Sequence, residues 1–296
     1  MSSIDIERAA TRTRIADYRF IKMLGAGNHG VFYLAPKPPR LPADCEYVAV
    51  KVMSGASRQD TFRRAVRELA AFAAVDSPYL VALYDAGQQE HDLYYSMEYL
   101  PGGSLADPAE PVARQAALTV VAHAARAAHA LHEAGIAHND IKPGNVMLHP
   151  VGGKLADLGL SHTLTPGLTV TGLGSTASVE FIDPAVIRGE PPSRASDVYS
   201  LGATLHWALS ETGLYGELPS NATLVAMRRV LSRNPVISTS LDPQARAVIA
   251  AAISPDPSRR PPTALKLAEQ IEALNTQRRG ADRPVRRDLT APREKN

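Results

Sequence analysis

Cysteine is almost missing from this chain. One residue, Cys45, in 296 cannot build a disulfide framework, and a lone thiol points to a reducing, cytoplasmic setting. No His–Asp arrangement stands beside it, so it reads as a structural or loop thiol and not as a nucleophile. A surplus of one charge is missing as well. Lys and Arg number 32 against 30 Asp and Glu, a formal net charge of +2, which gives no whole-molecule attraction for nucleic acid or a membrane surface. Long apolar runs are also missing. The Ala-rich stretch 113–134 is interrupted by Arg114, His123, Arg126, His129 and Glu133, so it reads as a helix of a water-soluble domain and not as a membrane span. The first seventeen residues are charged, lack the apolar centre of a signal peptide and read as a polar leader. No internal repeat is evident. An apolar content of 45% is ordinary for a globular protein, and the length suffices for one large two-lobed domain or two small ones.

The richest stretch is His138-Asn139-Asp140-Ile141-Lys142-Pro143-Gly144-Asn145, followed twelve residues later by Asp157-Leu158-Gly159. It places a carboxylate, a cation and an amide within eight residues. Phosphoryl transfer from ATP needs a carboxylate to orient a hydroxyl, a Lys to neutralise the moving group, and an Asn and an Asp to hold Mg²⁺. Nearer the amino end, Gly25-Ala26-Gly27-Asn28-His29-Gly30 fits G-x-G-x-x-G, a turn in which backbone amides can approach phosphate oxygens because no Cβ intervenes. The rival reading is a dinucleotide fingerprint, which should open a helix. Here Val31-Phe32-Tyr33-Leu34 follows, and its β-branched and aromatic residues favour a strand. Val48-Ala49-Val50-Lys51 puts a lysine in an apolar strand, 26 residues after Gly25 and 17 before Glu68. In isolation Lys51 would be a solvent-facing lysine and Glu68 part of a solvated helix face beside Arg63, Arg64 and Arg67.

The order of these motifs, over roughly residues 18–274, resembles that of protein kinases, and in particular the bacterial serine/threonine kinases of the eukaryotic-like type. The resemblance implies an α+β, two-lobed fold: a β-rich N-lobe over about 18–100 with one key helix, and a mainly helical C-lobe over about 101–274. It implies ATP and Mg²⁺ as cofactors, with Mn²⁺ as an alternative, and Ser/Thr hydroxyls of proteins as acceptors. Asp140 would be the catalytic base or hydroxyl-orienting group, and Lys142 would steady the transferring phosphoryl group. Asn145 and Asp157 would ligate the metal. Gly25, Ala26, Gly27 and Gly30 would cradle phosphates. Lys51 would hold the α/β-phosphates and pair with Glu68. Met97-Glu98-Tyr99-Leu100 would be the hinge, with Met97 behind the adenine and backbone atoms of Glu98 and Leu100 on its edge. Phe32 and Ala49 would cover the base from one side and Met147 from the other. His138 would be a buried structural histidine, stacking with Phe72 and Leu158. Asp197 would brace the catalytic loop, and Ser178 would stand where a Thr contacts the catalytic Asp and Lys. Self-association for autophosphorylation would be in keeping. Two other classes stay open: a catalytically weak scaffold, and a kinase of small molecules.

The chain departs from the family pattern at several places. Asn139 replaces an arginine that binds a phosphorylated activation loop, and an amide cannot supply that bidentate charged contact. The expectation is that phosphorylation at Thr163, Thr165, Thr169, Thr171, Ser175 or Thr176 is not read through Asn139. Asp183-Pro184-Ala185 lacks the Glu of A-P-E, although its partner arginine is present as Arg260. Either Arg260 is solvated, or Asp183 or Glu190 stands in for the lost acid, because a buried Arg without a carboxylate would cost about 3–5 kcal/mol.

Composition predicts the remaining organisation. A hairpin covers 18–35, and strands cover 46–53, 80–85, 93–99, 146–148 and 154–156. Helices cover 60–75, 195–210, 223–231, 242–252 and 262–274, with a further helix opening near Pro111. A loop spans 160–182. Residues 275–296 carry seven Lys/Arg against three Asp/Glu and read as a basic, disordered tail.

Overall fold

The computed structural model describes residues 12–27, 30–54, 59–157, 176–219 and 222–281. Its N-terminal half is built on a strict alternation. Along β5 (Tyr47–Ser54), Val48, Val50 and Val52 point to one face of the sheet, and Ala49, Lys51 and Met53 to the other. Five antiparallel strands make that sheet, in the order β3 (Lys22–Gly27), β4 (Gly30–Pro36), β5, β7 (Asp92–Glu98) and β6 (Leu83–Gln89). The valine face packs with Val31, Tyr33 and Ala35 against a small outer hairpin, β1 (Arg14–Ile15) and β2 (Tyr18–Arg19). Ile15 and Tyr18 are completely buried there. Residues 14–17, expected to belong to a polar leader, therefore sit within the fold, because Ile15 supplies apolar area worth about 2 kcal/mol to a sheet face that would otherwise be wet. The opposite face packs against α1 (Gln59–Ala73) through Leu69.

Gly30 shows why the hairpin opens on a glycine. It has φ +146°, and an added Cβ would lie 2.3 Å from the carbonyl oxygen of Val52. The strand expected from Leu80 starts three residues later, at Leu83. Leu80 and Val81 turn away from the sheet to pair with Leu155, whose carbonyl accepts from the Val81 amide at 3.0 Å. That pairing ties the two lobes together.

The C-lobe is organised around α2 (Arg114–Glu133), whose alanines and leucines are buried along most of its length. The helix begins at Arg114 with Ala113 as its N-cap, so Pro111 lies before the helix and not in its first turn. Small side chains let α8 (Ala264–Ala281), α5 (Arg194–Ser210) and the hairpin β8 (Val146–His149)–β9 (Gly152–Leu155) approach α2 closely. A capping box between Ser193 and Ser196 starts α5, and this sets Asp197 in its first turn. Short helices α3 (Thr176–Val179) and α4 (Pro184–Ile187) precede it, and α6 (Thr223–Ser232) and α7 (Pro243–Ala252) follow. Helix α8 runs on to Ala281, seven residues into the segment expected to be a disordered tail. Residues 282–296 and most of the Thr-rich loop, including Leu158, Thr163, Thr165, Thr169 and Thr171, lie outside the described residues. No described helix is long and apolar enough to cross a membrane.

Candidate active site

The lobes enclose a cavity of about 930 Å³. Its roof is the Lys51 face of the sheet, with Gly25, Ala26, Phe32 and Ala49. Its back and hinge wall hold Met97, Glu98 and Leu100. Its floor holds Asp140, Lys142, Asn145, Met147 and Asp157. Residues separated by more than a hundred positions in the chain thus share one space. Gly30 is not among its lining residues; it is committed to the close strand approach described above. Glu68 also lies outside the lining, half-buried on α1 and itself engaged in a polar or electrostatic contact.

Strand register explains the roof. Phe32 pairs with Lys51, and Lys51 with Tyr95, across β4, β5 and β7. Directly opposed residues share a face. The Lys51 ammonium accordingly lies 4.9 Å from the Phe32 ring centre and 5.9 Å from that of Tyr95. Lys51 is 4% exposed and donates to both carboxylate oxygens of Asp157, at 2.5 and 2.6 Å. The Tyr95 hydroxyl donates to Oδ1 of the same carboxylate at 2.6 Å. Burial by itself pushes the Asp157 carboxyl up, but Lys51 first and Tyr95 after it outweigh burial and hold the group below the usual carboxylate range. Burial, reinforced by Asp157, pushes the Tyr95 phenol far up, so it stays a neutral donor.

Asp197 supports the floor from below. Its Oδ2 lies 2.8 Å from His132 Nε2 and accepts the His138 amide at 2.7 Å, and its Oδ1 accepts the Asn139 amide at 2.9 Å. These bonds hold Asn139 in a left-handed conformation, φ 66°. His138 is wholly buried, and burial pushes its imidazole down toward the neutral form. Nδ1 accepts the Asp140 amide at 3.3 Å, which assigns the proton to Nε2, 3.1 Å from the Ala156 carbonyl. His138 is therefore a strut beneath the Asp157 segment and not an acid or base.

Above that strut, Lys142 Nζ lies 2.8 Å from both oxygens of Asp140 and 3.2 Å from Ser178 Oγ. The Asn145 amide nitrogen donates to the Asp140 carbonyl at 2.7 Å and to its Oδ2 at 2.9 Å. Both bonds use the NH₂ end, so the Oδ1 end of Asn145 is left for another ligand. Asn145 and Asp157 line the same cavity. Two protein oxygens suit a hard divalent cation that completes its shell with phosphate and water. No cluster of three His, Cys, Asp or Glu able to hold a metal alone occurs among the described residues.

The missing acid of the activation segment is resolved by Asp183. Arg260 and Asp183 have side chains 1% and 4% exposed and meet at 2.5 Å. Arg260 also donates to the carbonyls of Ser254 and Ala195, both at 2.8 Å, and its guanidinium lies 5.3 Å from the Tyr199 ring centre. Of the three outcomes left open by the sequence, solvated Arg260 and pairing with Glu190 are excluded, and Glu190 is exposed. Asp183 also caps α4 through the Ala185 amide at 2.9 Å.

Sequence reasoning missed several residues of this region. Tyr95 was readable only through its register opposite Lys51. Glu180 and Trp207 line the same cavity, and burial pushes the Glu180 carboxyl up to about 7. Glu98, expected to act only through its backbone, also binds Lys154 on β9 at 2.7 and 2.8 Å and so straps the hinge to the C-lobe.

Residues 18–274 match the family model described as the protein kinase domain. Among curated proteins, the chain is 35% identical over 267 residues to the serine/threonine-protein kinase PknJ of Mycobacterium tuberculosis, covering 83% of this chain and 43% of that protein. It is 32% identical over 271 residues to the serine/threonine-protein kinase PknB of Mycolicibacterium smegmatis, covering 86% and 42%. The chain thus spans less than half the length of these relatives. Among solved structures, the kinase domain of Mycobacterium tuberculosis PknI superposes with a TM-score of 0.66 at 22% identity, covering 89% of this chain and 98% of that one, a likeness of fold.

Proposed function

This chain belongs to the protein kinase domain family, and from that premise we propose that it transfers the γ-phosphoryl group of ATP to Ser or Thr hydroxyls of proteins, with Mg²⁺ as the metal. One observation carries the reading: Asp140, Lys142, Asn145 and Asp157 face a single cavity that Lys51 enters from above. Asp140 orients the acceptor hydroxyl and takes up its proton. The acceptor oxygen forms its bond to the γ-phosphorus as the bond from that phosphorus to the β–γ bridging oxygen breaks, and ADP leaves. Lys142, already held on Asp140, is placed to offset the charge spread over the transferring group. Lys51 binds the α/β-phosphates, and the hinge backbone at Glu98 and Leu100 takes the adenine edge, with Ala49 and Met147 on its two faces. Asn145 and Asp157 would hold Mg²⁺, which would supply neutralisation of phosphate charge when bound. A Lys two positions beyond Asp140 supports Ser/Thr over Tyr acceptors. The Thr-rich segment 163–176 supports autophosphorylation between copies of the chain, and a single cysteine, Cys45, supports a reducing, cytoplasmic site.

The test is transfer of label from ATP to the protein itself and to a generic protein substrate, with Asp140→Asn in parallel. Label on Ser and Thr that disappears in the variant is the expected result. Nucleotide binding without any transfer would replace this reading with a scaffold, and label only on small molecules would replace it with a metabolite kinase.

A further inference from the structure

The Lys51 ammonium has two proposed tasks that compete. In this structure it donates to both carboxylate oxygens of Asp157, whereas the kinase reading assigns it to the α/β-phosphates once nucleotide arrives. A carboxylate in the floor of the cavity then needs another donor to hold its orientation. Asp157 itself sits at φ 60°, in the left-handed region that Asp and Asn visit more readily than other side-chain-bearing residues.

Tyr95 answers that need. It is 1% exposed and belongs to the apolar cluster between the sheet and α1, with Leu69, Val81 and Leu93. It is not among the residues lining the cavity, while Asp157 and Lys51 both are. The hydroxyl therefore reaches Asp157 from the core side, where neither nucleotide nor solvent competes for it. A buried phenol is costly without a partner, and the bond at 2.6 Å to Oδ1 meets that requirement. An ionised carboxylate offers about four lone-pair positions. Lys51 and Tyr95 together occupy three, and release of Lys51 to phosphate leaves Tyr95 on Oδ1 with the rest of the group turned to the cleft.

We propose that Tyr95 is a positioning residue for the metal. Its hydroxyl holds the Asp157 carboxylate toward the cavity and thereby sets the concentration of divalent cation at which nucleotide binds. The inference rests on the kinase reading of this cavity, and nothing in the motifs at 25–30, 138–145 or 157–159 contains it.

The experiment is a Mg²⁺ titration of ATP-dependent thermal stabilisation, which reads binding and not turnover, on the parent chain, Tyr95→Phe and Tyr95→Leu. The cooperative melt of each protein without nucleotide scores folding. The expected result is a Mg²⁺ midpoint raised about tenfold in Tyr95→Phe, the scale of one lost hydrogen bond to a charged group. Tyr95→Leu should shift at least as far, with stabilisation by ATP in chelator unchanged in both. If only one variant folds, its midpoint decides. A midpoint within about twofold of the parent in a folded variant overturns the inference and leaves the kinase reading intact. A parent chain whose ATP stabilisation ignores Mg²⁺ overturns the kinase reading and the inference together.

Discussion

Replacing Asp183 by alanine removes two contacts at once. It strips the carboxylate from Arg260, whose side chain is 1% exposed, and it removes the cap of α4 at the Ala185 amide. Breaking a buried ion pair by deleting one partner costs about 3–5 kcal/mol, because the remaining charge stays desolvated. Arg260 keeps two carbonyl acceptors and the Tyr199 face, which argues for the lower end of that range. The lost cap adds about 1 kcal/mol. Asp183→Ala should therefore lower stability by about 4 kcal/mol, a large share of the 5–15 kcal/mol typical of a folded domain. Urea unfolding of the parent, both single variants and the Asp183→Ala/Arg260→Ala double variant closes a thermodynamic cycle. The expected coupling between the two residues is about 2–3 kcal/mol, since the double variant leaves no unpaired charge. Adding Ala185→Glu to Asp183→Ala restores the acid at the position the wider family uses, and should recover part of the loss. A destabilisation below about 1 kcal/mol, or additive single effects, would refute the assignment of Asp183 as the relocated acid.

Asp140→Asn should reduce phosphate transfer by about 10²- to 10⁴-fold, the range for a positioned proton acceptor, while nucleotide-dependent stabilisation persists; initial rates and melting curves check both halves. Glu180 is held protonated by burial to about pH 7, so between its ordinary value and that point the folded chain binds more protons than the unfolded one. Its contribution to stability is therefore present at lower pH and lost as pH rises through about 7, and Glu180→Gln should flatten that decline in urea midpoints measured from pH 5 to 8. At position 139, φ is 66° and the buried Oδ1 has no hydrogen-bond partner among the described residues. Asn139→Gly should therefore be more stable than Asn139→Ala by about 1 kcal/mol, because both remove the oxygen and only glycine takes the left-handed conformation freely.

Much of the site was legible because its chemistry is local in the chain. Asp140, Lys142 and Asn145 lie within six residues, and their mutual hydrogen bonds follow from a single loop and a short 3₁₀ turn at 143–145. The strand carrying Lys51 was legible through β-branched alternation, and the later helices through their turn residues and apolar spacing. Errors fell where a segment's environment overrode its composition. Leu80 and Val81 look like strand residues of the N-lobe sheet, but the bonds that flank Leu80, from the Val81 amide and to the Tyr79 carbonyl, go to Leu155 in the other lobe. Residues 275–281 look like tail, yet they extend α8. Arg14–Ile15 sits in a charged stretch, and only the exposed outer face of the sheet explains why Ile15 is buried.

The chain order alone determined the family, the two-lobed plan and the identity of most polar groups that line the cavity, since each motif is a short run whose residues can act only where their neighbours place them. Tertiary structure decided the partnerships. Asp183 meets Arg260 across 77 positions, Tyr95 meets Asp157 across 62, and the Asp197 carboxylate reaches the His138 amide across 59. A hydrogen bond depends on register, on which face a strand turns inward, and on how much water the surrounding side chains exclude. These quantities come into being only when distant segments pack, and so the acid that balances Arg260 and the phenol that steadies Asp157 became visible only in the folded chain.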